Sequence, residues 1–312
     1  MKKIVYVTGC LGFIGFHVAR ACLERGWYVR GVDKGTYAAN WNLLPQLEKY
    51  ETFFFEHKDI NDLDRIYDCD YVINTAAETH VDNSLEESDT FVRSNINGVH
   101  NILKLITQKK YRRPVLLQFS TDEVYGDIEK GSHTESDPLI PSNPYSATKA
   151  AADMLVMAWG RSHAVPYVIV RPTNNYGIGQ YVEKLIPKTC KFLHLGKKVD
   201  LHNKGTPVRT WLHADDTARA ILTIIDSGVT NEIYNISGNY QTENITVVKK
   251  IFDMLNLPGD PEQYIHHVNR QGQDVRYSID DGKLKNLGWQ PKANFDVELA
   301  KILSYYENTF IW

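Results

Sequence analysis

Cysteine is scarce in this 312-residue chain and shows no pairing pattern: Cys10, Cys22, Cys69 and Cys190 form neither a CxxC nor a metal-ligand spacing. That excludes a disulfide-framed scaffold and a cysteine-built zinc site, and it points to a reducing compartment with the thiols buried. Charge of one sign is lacking as well. Thirty-five Lys and Arg stand against 38 Asp and Glu, a formal net charge of -3. No general field therefore draws nucleic acid or an anionic membrane, and an anionic ligand must be met by local groups. Long apolar runs are also missing. Nothing approaches the ~18 residues of a membrane helix. Met1-Lys2-Lys3 is followed by only four strand-like residues before Thr8-Gly9, too few for the apolar core of a signal peptide. These absences predict a cytoplasmic protein with no membrane, nucleic-acid or metal partner.

What is present is an ordinary globular composition, 43% hydrophobic and 23% charged, in a length that suits one large domain or two interlocked ones. The β-rich run Ile4-Val5-Tyr6-Val7 leads into Thr8-Gly9-Cys10-Leu11-Gly12-Phe13-Ile14-Gly15 and then a helical pattern through Arg25. In such a strand, glycine turn and helix, the glycines allow a sharp turn and close approach to a pyrophosphate, while the helix N-terminus offers free N–H groups. Asp33, 18 positions after Gly15 at the end of the strand Val29-Arg30-Gly31-Val32, completes a dinucleotide fingerprint; its carboxylate suits ribose hydroxyls and repels a 2′-phosphate, which favours NAD.

The sheet is expected to continue through Phe53 to Ile60, Tyr71 to Asn74, Val115 to Ser120, Val168 to Arg171 and Ile233 to Ile236, with helices over 86–109, 217–226 and 246–255. The fold class predicted is α/β, a doubly wound, mainly parallel Rossmann sheet with a smaller mixed α/β lobe. Residues 1–172 and 211–238 are assigned to the nucleotide domain and 173–210 and 239–312 to the substrate lobe, with 209–216 crossing between them. At the carboxyl edge, where ligands bind in such sheets, lie Asp59-Ile60, read as flanking the adenine with a solvated loop aspartate as its alternative, the small run Thr75-Ala76-Ala77, and the polar loop Glu78 to Asn83. His80 in that loop, taken alone, reads more readily as a hydrogen-bonded structural histidine.

The stretch from Ser120 to Lys149 carries acid/base chemistry. It opens Ser120-Thr121-Asp122-Glu123-Val124-Tyr125-Gly126 and closes Tyr145-Ser146-Ala147-Thr148-Lys149. Tyr145 and Lys149, four positions apart, share a helix face, so the ammonium is expected to lower the phenol's pKa. Asp122 and Glu123 are a second acid/base resource at a strand end.

These segments together resemble the extended short-chain dehydrogenase/reductase family. The Thr121-Asp122-Glu123 triplet narrows the resemblance to its nucleotide-sugar 4,6-dehydratases. Asp33 to Asn40, Ala77 to Asp82, and Arg171-Pro172-Thr173-Asn174-Asn175-Tyr176-Gly177 running on to Glu183-Lys184-Leu185 are similar as well, so the match spans most of the chain. The resemblance implies NAD held by Gly9, Gly12, Phe13, Ile14, Gly15, Asp33, Lys34, Thr36, Asp59, Ile60, Thr75, Ala76, Ala77, Thr79, Asn95, Tyr145 and Lys149. It implies that Tyr145, supported by Lys149, takes the proton of the sugar 4-hydroxyl as hydride leaves C4, with Thr121 bonded to the same oxygen. Glu123 would then remove the C5 proton while Asp122 protonates the departing C6 hydroxyl, and hydride would return to C6. The implied substrate is a nucleotide-diphospho-hexose. His80, Thr121, Asn174, Asn175, Glu183, Lys184 and Leu185 would bind it, and Lys191, Arg209 and Arg276 are candidates for its phosphate charge.

The departures lie on the nucleotide side. The family has Arg-Asp-Trp where this chain has Arg209-Thr210-Trp211, a tyrosine-glycine turn at His202-Asn203-Lys204-Gly205, and Gly-His-Asp at Gly272-Gln273-Asp274. They leave the nucleotide base open. A homodimer is expected through a four-helix bundle of the helices beginning near Glu86 and Tyr145. The rivals are a 4-epimerase or a glucuronate decarboxylase on the same scaffold, neither of which needs Asp122 and Glu123, and a non-catalytic nucleotide-sugar or NAD-binding protein.

Overall fold

The computed structural model describes residues 2–270 and 274–308. Its strands, in chain order, are β1 (Ile4–Thr8), β2 (Tyr28–Asp33), β3 (Phe53–His57), β4 (Tyr71–Asn74), β5 (Val115–Phe119), β6 (Tyr167–Pro172), β7 (Asn174–Tyr176), β8 (Val199–His202), β9 (Val208–His213), β10 (Glu232–Ile236), β11 (Tyr240–Glu243) and β12 (Ile265–Val268). Seven of them form one parallel sheet in the order β3-β2-β1-β4-β5-β6-β10. The order reverses between β1 and β4, which opens a crevice at the carboxyl ends of those strands. The expected doubly wound, mainly parallel α/β sheet is the one observed.

The central strands are nearly continuous apolar runs because helices cover both faces. Alternate residues divide between two cores: Val5 and Val7 pack with Phe16, Leu117 and Ile221 on one face, and Tyr6 packs with Val72, Ile102, Val156 and Ile169 on the other. A smaller sheet, β11-β9-β7, pairs β7 parallel and β11 antiparallel to β9, and β8 pairs parallel with β12. A third core of Tyr176, Trp211, Phe252, Phe295 and Tyr306 lies under this smaller lobe. Leu284 and Trp289 fold back onto the first core of the large sheet. Among the described residues no helix is long and apolar enough to cross a membrane.

Five elements depart from the expected bounds. The third strand ends at His57, because the Asp59 side chain accepts the Asn61 N–H and starts a single 3-10 turn, Ile60–Asp62. The helix expected over 86–109 starts later and ends earlier, at Asp89 and Thr107. A short helix, Val81–Glu86, stops at Glu87, where the backbone extends, and a new run begins at Asp89, widens to a π-helix over Val92–Asn97 and returns to α over Gly98–Thr107. The segment expected to cross between lobes contains β9, the central strand of the small sheet, whose hydrophobic signal is diluted by Arg209, Thr210 and His213. The helix that follows β9 starts three residues early, at Ala214, with His213 as its cap; the helix expected over 246–255 is Asn244–Met254.

Candidate active site

The glycine turn has the shape its chemistry requires. Gly9 has φ +72, and a Cβ there would meet the Ala76 backbone at 2.8 Å. One at Gly15 would lie 2.0 Å from the Gly9 carbonyl, so neither position admits a side chain. Gly12 caps the helix Phe13–Glu24 with no side chain of its own, leaving the first N–H groups and the positive end of the helix facing the cleft. Asp33 Oδ2 accepts the Leu11 N–H at 2.9 Å and Oδ1 the Gly35 N–H at 2.8 Å. A carboxylate has further lone pairs, so it fixes the turn and still offers acceptors to a ribose. Burial pushes its pKa up, against the pull of those two N–H groups. Lys34 is drawn to Glu78 (3.5 Å) and Asp59 (3.8 Å) and hydrogen-bonds Ser94 Oγ at 3.1 Å, so its charge is already met and does not invite a 2′-phosphate. The cradle therefore fits NAD.

One cleft gathers the glycine turn with Phe13 and Ile14, then Thr36, Asp59, Ile60, Thr75, Ala76, Ala77 and Thr79, and ends at Thr121, Asp122, Glu123 and Tyr145. Thr121 caps the 3-10 turn Asp122–Tyr125; its Oγ1 accepts the Glu123 N–H and donates to Asp122 Oδ1 at 3.2 Å. Its hydroxyl also pulls the Tyr145 phenol down, against burial. Asp122 Oδ2 is buried without a partner among the described residues. Burial first, and the Glu123 carboxylate second, raise the Asp122 pKa to about 7. Burial also raises Glu123, while Arg209, Lys184 and an Asn143 hydrogen bond pull it back. The site thus holds two adjacent carboxyl groups with different surroundings, the arrangement that gives one acid and one base.

Tyr145 is placed by the helix Pro144–His163, which has Pro144 in its first turn and a reciprocal cap between Asn143 and Ser146. Beneath it, Asp153 accepts from Ser120 Oγ (2.9 Å) and from Arg171 Nε (3.0 Å), and Arg171 reaches Tyr125 OH at 2.8 Å. This buried network ties the helix to β6 and to the Asp122 turn. The expected lowering of the phenol is not found. Burial and the Glu123 carboxylate push Tyr145 up, and burial pushes Lys149 down to about 8 while its Nζ donates to the Phe119 carbonyl at 2.6 Å.

A second cavity continues from Thr79 and His80 past Asn174, Asn175, Glu183, Lys184 and Leu185 to Arg209. Lys184 Nζ bridges to Thr79 O (3.1 Å) and Oγ1 (3.2 Å), joining the loop after β4 to the small lobe. His80 bonds Asn83 at 3.1 Å and is held neutral by burial and Lys184. Asn175 is bonded internally to Thr173 and Thr217, whereas Asn174 Oδ1 is buried without a partner among the described residues.

Four predicted residues do not line either cavity. Lys149 is buried with its Nζ on the Phe119 carbonyl. Asn95, on the π-helix, accepts the Glu78 N–H and donates to Glu78 O and Thr148 Oγ1, so it braces the fold where a cofactor contact was expected. Arg276 is turned away to the carbonyls of Ile128 and Gly131. Lys191 sits on the helix Leu185–His194 away from the lining, and Lys188, one turn earlier, lines the cavity in its place. Sequence reasoning missed Arg270, which reaches Asp82 at 2.6 Å and His202 at 3.3 Å on the cavity wall, and Tyr277 beside Glu123. The only signal near them was the altered Gly272-Gln273-Asp274 run, of which Gly272 and Gln273 lie outside the described residues.

A glycine-cradled crevice at the switch point of a parallel sheet, with a tyrosine and carboxyl groups at its end, defines a dinucleotide-dependent α/β enzyme class. The chain belongs to the NAD dependent epimerase/dehydratase family, whose model matches residues 5–237. It is 37% identical to the low-salt glycan biosynthesis protein Agl12 of Haloferax volcanii, over 97% of this chain and 98% of that one. It is 36% identical to the dTDP-glucose 4,6-dehydratase of Haemophilus influenzae, over 97% of each. The crystal structure of DesIV, a dTDP-glucose 4,6-dehydratase from Streptomyces venezuelae solved with NAD bound, superposes with a TM-score of 0.92 at 35% identity, covering 98% of this chain and 97% of that one.

Proposed function

We propose that this protein is an NAD-dependent nucleotide-sugar 4,6-dehydratase, which converts dTDP-glucose or UDP-glucose to the 4-keto-6-deoxy sugar. The observation that carries this reading is the adjacent pair of Asp122, buried, and Glu123, half-buried, held in different protonation environments beside the hydroxyls of Thr121 and Tyr145. Bound in the glycine cradle by Asp33 and the helix N-terminus, NAD supplies a hydride acceptor for C4 and a hydride donor for C6, and so is regenerated in each turnover.

The chain's own groups do the proton chemistry. Tyr145 acts as the phenolate, which burial disfavours and Lys149, one helical turn on, must favour; it takes the proton of the 4-hydroxyl, and Thr121 holds that oxygen. The 4-keto group acidifies C5; Glu123 removes that proton, and Asp122, protonated near neutral pH, delivers its own to the leaving C6 hydroxyl. Glu123 then returns a proton to C5. An epimerase or decarboxylase has no such elimination to run and no use for this pair.

The cofactor side is 1–172 with 214–238, since the boundary expected at 210/211 falls inside β9, and the nucleotide-sugar side is 173–213 with most of 239–308, from which Leu284 and Trp289 pack back on the core of the large sheet. There Asn174, Lys184, Arg209, Lys188 and Arg270 meet the diphosphate and sugar. Val92 and Met154, 41% and 51% exposed on neighbouring helices, support a homodimer through a four-helix bundle. We assign the protein to the cytoplasm. Incubation with dTDP-glucose and UDP-glucose, followed by absorbance of the alkali-treated product, tests the reaction: a 4-keto chromophore is expected from one of them. A C4 epimer with no keto sugar would overturn the proposal.

A further inference from the structure

Glu123 has a polar neighbour that the reaction outlined above does not use. Tyr277 OH lies 3.5 Å from Glu123 Oε2 and donates a short hydrogen bond to Asp274 Oδ2. The same Asp274 oxygen accepts a second short hydrogen bond from Ser142 Oγ. Tyr277 and Asp274 are buried, at 3% and 7% exposed, whereas Ser142 is exposed. The chain of atoms therefore runs from the half-buried carboxyl of Glu123, past Tyr277 on the cavity wall, to an exposed serine.

Arg209 holds this chain in place. Its guanidinium stacks 4.1 Å from the centre of the Tyr277 ring and donates to the Asp274 carbonyl at 3.1 Å. Burial pushes the Tyr277 phenol well above its ordinary pKa, which keeps it a neutral carrier of one proton. A phenol whose hydrogen is given to Asp274 still has lone pairs facing Glu123.

We propose that Tyr277, Asp274 and Ser142 form a proton relay through which Glu123 exchanges the proton taken from C5 with solvent while the sugar fills the cleft. The proposal rests on the dehydratase reading. In the outward step, protonated Glu123 gives its proton to the Tyr277 oxygen as the phenol's own proton passes to the Asp274 carboxylate, and Asp274 releases it through Ser142 to water. The inward step reverses each transfer, so no charge is left behind and no co-reactant is needed. Tyr277, Asp274 and Ser142 are positioning residues that act through Glu123.

The test is turnover in deuterium oxide with the hydrogen at C5 of the keto product measured by mass spectrometry and NMR. Wild-type protein is expected to place solvent deuterium at C5. Tyr277→Phe keeps the ring under Arg209 and removes the relay, so its product should retain the substrate's own C5 hydrogen several-fold more often. Asp274→Asn should give the same retention, and it decides the matter if the tyrosine variant does not fold. A packing role for Tyr277 would slow turnover without moving the isotope ratio. Keto product from both folded variants with wild-type deuterium content would overturn the relay. Failure of the dehydratase reading is separate, since wild-type protein would then yield no keto sugar at all.

Discussion

Asp122 is under opposing demands. An acid that must be protonated near neutral pH has to be buried, and burial of an ionisable carboxyl opposes folding. Its pKa is about 7 in the folded protein, above the ordinary carboxylate value, so the unfolded chain ionises first. The sign follows: the penalty is absent below about pH 4, grows as pH rises toward 7, and is constant above it. Asp122→Asn is therefore predicted to raise stability at pH 8 by about 1–4 kcal/mol and to change it little at pH 4, as read by urea denaturation. The same substitution should lower kcat by roughly 10²–10⁴. In wild-type protein, turnover should fall as pH rises through about 7, because Asp122 then loses the proton it must deliver. The residue types at this site were legible in the sequence. The direction of the tyrosine's pKa was not, because helical spacing reports a shared face and carries no information on burial or on the carboxylates opposite.

At the scale of the element, the glycine turn and the catalytic helix give distinct expectations. Gly15→Ala puts a methyl group 2.0 Å from the Gly9 carbonyl, a clash between backbone segments that no rotamer relieves. NAD binding, followed by calorimetric titration, should be lost or weakened by at least about tenfold, equivalent to ~1.4 kcal/mol. Under the helix, Asp153→Ala leaves Arg171 buried and without its carboxylate; breaking such a pair costs about 3–5 kcal/mol. A midpoint shift in thermal unfolding of that order would confirm it, and a wild-type midpoint would refute it. The turn was readable because backbone geometry restricts it to glycine. Lys191 and Arg276 misled because a lone cation carries no sign of its helical phase: Lys188 has the inward phase, and Arg276 is occupied by two carbonyls. The π-helix that carries Asn95 has no sequence signature, and Asn95 on it bonds Glu78 and Thr148, neighbours that are distant in the chain.

At the scale of the molecule, the large sheet makes a crevice at β1 and β4 and the small lobe closes one side of it. The doubly wound, mainly parallel class followed from the alternation of apolar strands and helices. The small lobe was harder to read, because β9 is half polar and its partner strands come from either side in sequence. The exposed apolar side chains Val92 and Met154 lie on the faces expected to pair in the dimer, so Met154→Glu should shift the protein toward monomer in light scattering and leave NAD binding intact. An unchanged mass would contradict the bundle. The central claim is that one site oxidises C4, eliminates water across C5 and C6, and reduces C6 without releasing the hydride. It is tested most directly with nucleotide-glucose labelled with deuterium at C4. The expected product is a 4-keto-6-deoxy sugar carrying that deuterium at C6. Deuterium recovered at C4 of an epimerised sugar would contradict it.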